Sequence, residues 1–161
     1  MSLNRLSMVV LALAALPLPL LSCASHGSDD RVATKTLLSA SEDTNPDSNG
    51  RPSPVVLRVF QLRSDAEFQR ADFVALSTHE KDVLAASFLG VEEFELRPGE
   101  HLETRIPLAK DARYIGAIAE FRDINSARWR VLRTRPSHSL FVSESVVVDV
   151  ERGVLLLSVN H

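Results

Sequence analysis

Apolar residues recur at every second position along most of this chain, a pattern typical of half-buried β-strands. Residues 55–63 (VVLRVFQLR) show the pattern most clearly and carry apolar side chains on both faces. One face holds Val55, Leu57 and Val59, and the other holds Val56, Phe60 and Leu62. The whole pattern predicts about eight strands. They fall at residues 32–40, 55–63, 91–97, 102–108, 114–122, 128–133, 140–151 and 154–160.

Two helix-start signals interrupt the strands after residue 63. Ser-x-x-Glu motifs begin at Ser64 and Ser77, and in such a capping box both side chains satisfy free N–H groups of the first turn. They predict short helices at 65–73 and 79–87. The expected packing residues are Phe68, Phe73, Val83, Leu84 and Phe88. The fold class predicted is all-β, an antiparallel β-sandwich with a short helical insertion at residues 64–89.

The N-terminus has the pattern of an export signal. Fourteen apolar residues at 8–21 follow a single charge, Arg5, and end close to Cys23, the only cysteine of the chain. As a helix this run would reach ~21 Å, short of the ~30 Å hydrocarbon core of a bilayer. Pro17 and Pro19 would also break a spanning helix. A cleaved secretory signal is therefore predicted.

The end of the apolar run, Leu20-Leu21-Ser22-Cys23, resembles a bacterial lipobox, where the cysteine is acylated and becomes the new N-terminus. The predicted organisation is a lipoprotein signal peptide at 1–22, an acylated cysteine and tether at 23–31, and a β-sandwich domain at 32–161. In lipoproteins of this type an Asp after the cysteine retains the protein at the inner membrane, so Ala24 favours the outer membrane. The alternative is an ordinary signal peptide with a chance cysteine.

Composition and charge exclude several classes of protein. The 161 residues include 18 Lys and Arg against 21 Asp and Glu, and the net charge of −3 argues against binding nucleic acid. A single cysteine can form neither an intrachain disulfide nor a cysteine-based metal cluster.

The histidines and serines show no catalytic or metal-binding motif. None of the histidines has the i, i+4 spacing of a helical zinc site, and we expect a surface position for His26, His79, His101, His138 and His161. Ser137, His138 and Ser139 would alternate between the two faces of a strand, so they cannot form a dyad there. We expect no catalytic residue, no metal ligand, no small-molecule substrate and no cofactor other than a covalent lipid on Cys23.

Four arginines with no acid among them surround the only tryptophan, Trp129. They are Arg128, Arg130, Arg133 and Arg135. The segment is either an interface patch, since Trp and Arg are common at binding hot spots, or a strand with Trp129 and Val131 facing the core. In the second interpretation, which we favour, the arginines pair with acids such as Glu92 or Glu93. Residues 155–157 are expected to form a central, buried strand.

Residues 41–54 (SEDTNPDSNGRPSP) contain no large apolar residue and predict a loop with stiff turns. Pro46, Pro52 and Pro54 restrict this loop before any partner arrives, so less conformational entropy would be lost on binding. Loops carried by a rigid sandwich are common recognition surfaces. A plain linker between two strands is the alternative.

Several stretches, taken in order along the chain, resemble the TssJ family, the outer-membrane lipoproteins of bacterial type VI secretion systems. They are NPD at 45–47, GRPSP at 50–54 running into VVLRVFQL at 55–62, Phe68 with ADF at 71–73 and Leu76, LRPGE at 96–100, YIG at 114–116, AEFRD at 119–123 and RWR at 128–130. They extend from the lipobox to about residue 135. Thr44 departs from the aliphatic residue that often precedes the Asn in this family, which would slightly loosen the seating of the loop.

The resemblance implies a transthyretin-like β-sandwich that is not an enzyme. It implies a lipid-anchored structural adaptor on the periplasmic face of the outer membrane, tying the secretion complex to that membrane. The implied partner is the periplasmic domain of TssM, within a complex that also contains TssL. The loop implicated in that contact corresponds to residues 45–53. The candidate partner-binding residues are Asn45, Pro46, Asp47, Ser48, Asn49, Gly50 and Arg51.

Two alternatives to this interpretation stay open. The helical insert at 64–89 is a second choice for the partner surface. A periplasmic β-sandwich lipoprotein that binds a small ligand or a carbohydrate is the rival function, although one Trp and one Tyr offer little for stacking on sugars.

Replacing Cys23 with serine tests the predicted anchor. Without the thiol no acyl chain can be attached, and each buried lipid CH₂ contributes ~0.8 kcal/mol to membrane binding. We expect Cys23→Ser to give a folded domain in the soluble periplasmic fraction that does not support secretion. Cell fractionation and an effector-release assay measure the two effects, and normal effector release by this variant would contradict the role of the anchor.

Overall fold

The computed structural model of the protein describes residues 31–136, 138–139 and 142–160. Residues 1–30 lie outside the described part, and with them the predicted signal peptide, Cys23 and almost the whole tether. None of the helices in the described ranges has the length and apolar character needed to cross a membrane.

The described residues form strands on both sides of a short helical segment. In chain order the strands are β1 (Arg31–Ala40), β2 (Val55–Leu62), β3 (Phe88–Leu96), β4 (His101–Ala109), β5 (Tyr114–Ala119), β6 (Arg130–Thr134), β7 (His138–Ser139), β8 (Val142–Ser143), β9 (Ser145–Val150) and β10 (Leu155–Asn160). The helices are α1 (Ala66–Arg70), α2 (Phe73–Thr78) and α3 (Glu80–Leu84), followed by a 3₁₀ turn at Ala85–Ser87.

Eight of the strands form two four-stranded sheets, which confirms the predicted all-β sandwich with a helical insertion. Sheet A has the order β10-β9-β1-β4, sheet B has the order β3-β2-β5-β6, and β7 pairs with β8 alone. Neighbouring strands are antiparallel except β1 and β9, which are parallel. The parallel pair arises because the chain leaves sheet B after β6 and enters sheet A beside β1 instead of returning through a hairpin.

Strand β2 contributes to two apolar clusters, one on each of its faces. Val55, Leu57 and Val59 lie in the core between the two sheets. Phe60 and Leu62 belong to a second cluster on the outer face of sheet B. The period-two pattern of the sequence therefore predicted both faces of this strand correctly.

The helical insert covers the outer face of sheet B. One fully buried residue from each helix completes the second cluster, namely Phe68, Leu76 and Leu84. The Phe68 ring lies directly over Gly116 of β5, where an added Cβ would come within 2.6 Å of the ring Cζ. Glycine at this position thus allows the insert to approach the sheet closely.

The insert contains three helices where two were predicted. The predicted helices at 65–73 and 79–87 correspond to α1 and to α3 with its 3₁₀ turn, whereas α2 was not predicted. The predicted capping box at Ser77 is wrong, because Ser77 lies inside α2 and His79 is the N-cap of α3. Asp72 caps α2, because its carboxylate accepts the N–H of Ala75 at 2.8 Å. The helix therefore begins before Ser77, whose hydroxyl donates to the main-chain oxygen of Val74 within the same helix.

The prediction that residues 155–157 form a central strand is also wrong. They begin β10, which is an edge strand of sheet A. Leu155 and Leu157 reach the core, whereas Leu156 is 37% exposed. An apolar run on a strand with only one covered face must point every second side chain outwards.

Trp129 and Val131 pack against the core between the sheets, as the favoured interpretation expected. The expected pairing of the nearby arginines with acids of β3 is not formed among the described residues. Arg130 donates instead to the main-chain oxygens of Phe68 and Ala71, at 2.8 and 2.7 Å. Carbonyl groups near a helix C-terminus lack intrahelical partners, so this arginine satisfies them and fixes α1 to β6.

Gly116→Ala tests the contact that positions the insert. The added methyl group overlaps the Phe68 ring, and overpacking of this kind typically destabilises a protein by about 1–3 kcal/mol. We expect a lower free energy of unfolding by that amount, measured by denaturant titration. Gly90→Ala is the matched control, because a Cβ there would meet the Gln61 side chain at an ordinary 3.6 Å. Equal stability of the two variants would contradict the prediction.

Candidate functional site

The two ends of strand β1 define two ends of the domain. Arg31 is the point where the N-terminal segment joins, and Ala40 leads into loop 41–54. A strand of 10 residues spans ~30 Å at ~3.3 Å per residue. Because successive strands of the sandwich reverse direction, loops 120–129 and 151–154 lie at the same end as loop 41–54. We call this the loop end.

Asn45 anchors loop 41–54 through its buried side chain, which is only 3% exposed. Its Oδ1 accepts the N–H of Arg122 at 2.8 Å, and its Nδ2 donates to the main-chain oxygen of Pro54 at 2.7 Å. Its own N–H donates to the main-chain oxygen of Arg152 at 3.2 Å. Its φ of 49° lies in the left-handed region, which Asn tolerates better than most residues. One residue thus connects three loops.

Asp47 organises the exposed tip of the same loop. Its carboxylate accepts the N–H groups of Arg51 and Asn49 at 3.0 and 2.9 Å and pairs with the Arg51 guanidinium at 3.1 Å. These hydrogen bonds, that from the Arg51 main chain foremost, hold the pKa of Asp47 below its usual range because they favour the charged form. Gly50 completes the turn with a φ of 77° and donates its N–H to the main-chain oxygen of Asp47 at 2.9 Å.

Thr44 seats the loop, and the loosening expected at this position is not observed. Its side chain is fully buried, and its hydroxyl donates to the main-chain oxygen of Val150 at 2.8 Å. Its main-chain oxygen accepts the N–H of Ser53 at 3.1 Å. A hydroxyl therefore secures the loop where an aliphatic side chain could offer packing alone.

The loops of the loop end are also joined by their main chains. The Arg128 N–H donates to the Gly153 oxygen, and the Leu155 N–H donates to the Arg128 oxygen, both at 2.9 Å. Together the three loops enclose a groove of about 820 Å³, lined by residues 45–48, 121–123, 126–127 and 152–154. The hydrogen bonds that cross between loops give this groove fixed walls.

The seven candidate residues of the loop divide by exposure. Asn45 is buried, Pro46 and Asp47 are half-buried, and Ser48, Asn49, Gly50 and Arg51 are exposed. The buried and half-buried residues shape the loop, and the four exposed ones are available to a partner. Cys23, the candidate lipidation site, lies outside the described residues.

The groove residues outside loop 41–54, among them Phe121, Arg122 and Val154, were not predicted from the sequence as partner-binding residues. A signal for them was present. If strand direction simply alternates, the predicted strands 114–122 and 140–151 run in the same direction as the first strand, so their ends and the loops after them lie at the same end of the domain as loop 41–54.

The described residues offer little to catalysis, metal binding or sugar stacking. In the described ranges no three His, Cys, Asp or Glu residues lie close enough together to hold a metal ion. His79 and His101 are exposed; His26, Ser137 and His161, and the side chains of His138 and Ser139, lie outside the description. The groove is lined by one aromatic residue, Phe121, which is only 6% exposed.

Comparison with known families gives one match that covers most of the chain. The profile of the type VI secretion lipoproteins, a family that includes VasD, EvfM and TssJ, matches residues 33–153. The comparison with curated proteins gave no match.

Solved structures with the same fold come from related secretion systems. The lipoprotein TssJ1 from Pseudomonas aeruginosa is 26% identical with a TM-score of 0.74, over 81% of this chain and 98% of that one. Lip from Serratia marcescens, described as a membrane-bound component of the type VI secretion system, is 30% identical with a TM-score of 0.69, over 81% and 99%. A chain in a structure described as "T6SS protein TssM C-terminal domain (869-1107) from EAEC" is 25% identical with a TM-score of 0.63, over 78% and 97%.

Asn45→Ala tests the anchor of the loop. The substitution leaves two partly buried main-chain groups without partners and places Ala in a left-handed conformation, which together should destabilise the protein by about 2–4 kcal/mol. Equilibrium unfolding measures this change. Asn49→Ala, at an exposed position of the same loop, should stay within about 0.5 kcal/mol of the parent. Equal effects of the two substitutions would contradict the assigned role.

Proposed function

This chain belongs to the type VI secretion lipoprotein family, and we propose that it acts there as a lipid-anchored structural adaptor and not as an enzyme. In this proposal acyl chains on Cys23 hold the protein to the periplasmic face of the outer membrane. The loop end binds the periplasmic domain of TssM, in a complex that also contains TssL. The protein thereby ties the secretion complex to the outer membrane.

The observation that carries the proposal is the opposite placement of the two attachment points. The N-terminal segment joins the domain at Arg31, and the rigid loop 41–54 begins after Ala40 at the other end of the same strand. A tether of eight residues, 24–31, reaches at most ~28 Å, so the domain would stay near the membrane with its loop end directed away from it. A partner rooted in another membrane could then meet the loops without competing with lipid.

The choice of TssM as the partner is supported by the structure described as a TssM C-terminal domain. Because 78% of the present chain covers 97% of the matched chain, that chain is shorter than this one. The TssM segment 869–1107 is longer than 161 residues. The match is therefore to a chain too short to be that whole segment, which fits a relative of this protein accompanying TssM.

The loop is a better partner surface than the helical insert. Four exposed residues of the loop lie on a turn held by the Asp47 carboxylate, so little ordering entropy is lost when a partner binds. The insert uses its large apolar side chains to cover sheet B, and Val74, at 63% exposure, is its one large hydrophobic residue exposed within the described chain.

A triple variant separates the two surfaces. Ser48→Ala, Asn49→Ala and Arg51→Ala together remove exposed loop side chains and keep the shaping residues Asn45 and Asp47. We expect the affinity for the periplasmic domain of TssM to fall about tenfold or more, equivalent to ~1.4 kcal/mol, by calorimetry.

The matched control is a triple alanine variant at three exposed positions of the insert, Gln69, Arg70 and Val74. Its affinity should stay within about twofold of the parent, a change of less than ~0.5 kcal/mol. Loss of binding in this variant alone would move the interface to the insert. Failure of the parent protein to bind TssM would refute the proposed partner.

A further inference from the structure

We infer that the groove at the loop end receives a segment of TssM in which an acidic side chain lies next to an apolar one. This inference rests on the proposed function and extends it from the tip of loop 41–54 to the neighbouring loops. It assigns a binding role to Arg122, together with Arg152, neither of which the sequence predicted as a partner-binding residue.

The floor of the groove is apolar. Phe121, Ala127 and Val154 line it, and Ala127 also packs against the core between the sheets. Ala127 and Val154 remain half-exposed. A partner side chain laid over them would bury apolar surface, at roughly 25 cal/mol for each Å² removed from water.

Two arginines supply positive charge beside this floor. Arg122 is exposed, and among the described residues its guanidinium has no hydrogen-bond or ion-pair partner. Arg152 is 69% exposed and only approaches Asp43, at 3.9 Å. Arg122 is therefore available to a carboxylate from a partner, and Arg152 is held only by this one long ion pair.

The acids of the lining do not cancel this charge. Asp47 already has Arg51 as its partner at 3.1 Å, so it is neutralised within its own loop. Asp123 is the other acid of the lining and is exposed. Arg152 is paired with Asp43 in the same way, although at the longer distance of 3.9 Å, so Arg122 is the lining cation that has no ion-pair partner among the described residues. An unpaired arginine favours an acidic partner side chain over a basic one.

The groove is built before a partner arrives. The Arg122 N–H is fixed to Asn45, whose own N–H is fixed to the Arg152 main chain. This pair of bonds holds the backbones that carry both arginines in one arrangement, so binding need not order the loops. The groove is also continuous with the exposed tip of loop 41–54, since residues 45–48 form one of its walls.

Charge reversal at Arg122 tests the inference with the full-length protein in detergent and the periplasmic domain of TssM as the probe. Arg122→Glu should weaken binding about tenfold or more at low salt, with a smaller difference at high salt, because an ion pair at an exposed rim is screened. Arg122→Lys, which keeps the charge, should retain most of the affinity. Replacing the contacted TssM acid with Lys should restore binding to Arg122→Glu.

Arg105→Glu is the matched control. It makes the same charge change at an exposed position of β4 away from the groove, and its affinity should stay within about twofold of the parent. Equal affinity of Arg122→Glu and Arg105→Glu, with the parent binding TssM normally, would overturn the inference and leave the proposed function standing. If the parent does not bind TssM, the proposed function itself fails.

Folding of the variants is checked by their unfolding transitions. The side chain of Arg122 is exposed and forms no hydrogen bond or ion pair among the described residues, so Arg122→Glu should unfold like the parent. Should it not fold, the salt dependence of the parent decides the matter, because an affinity for TssM that is unchanged between low and high salt would refute an acidic partner segment.

Discussion

Burial of strand β2 on both faces is the constraint on which the rest of this structure depends. Val55, Leu57 and Val59 can be covered by the opposite sheet, but Phe60 and Leu62 point away from it. A sandwich of two sheets leaves that outer face in water, so a further layer is required. The helical insert supplies it, and Gly116 lets that layer approach the sheet. The large apolar side chains of the insert are therefore used for packing.

The loop end owes its rigidity to side chains that bond to main-chain groups of other loops. Asn45 and Thr44 reach across to the segments that carry Arg122 and Val150. Loops expose many backbone polar groups, and ordering them costs about 1–2 kcal/mol per residue in conformational entropy. Because this entropy cost is met when the protein folds, it does not reduce the affinity for a partner. The same bonds explain why the most buried residues of the loop are those that shape it and the exposed tip is left for contact.

The sequence predicted features set by local pattern and missed those set by which strands become neighbours. The two faces of β2 follow from a period of two, and the stiffness of loop 41–54 follows from its prolines, so both were accessible. The parallel pairing of β1 with β9 and the edge position of Leu155–Leu157 depend on where the chain crosses between sheets, which no short segment records. At the insert, the helix capped by Asp72 was missed, because the capping-box pattern at Ser77 marks only one start and Ser77 is itself inside that helix. The groove could be predicted only in part. Alternation of strand direction places its loops at one end of the domain, but it does not show that hydrogen bonds join them.

Under the proposed function the protein is attached at both ends of β1, and the parallel pair then has a mechanical consequence. A first strand joined only by hairpins would lie at the edge of its sheet, and tension could peel it away one hydrogen bond at a time. Here β1 lies inside sheet A, paired with β4 from Arg31 to Ser39 and with β9 from Thr36 to Ala40. Inter-strand hydrogen bonds run across the strands, so tension along β1 loads both ladders in shear and must break many bonds together. Under the proposed function, force between the lipid anchor and TssM passes along this strand, and the pairing that the sequence did not reveal is the one that lets the domain carry it.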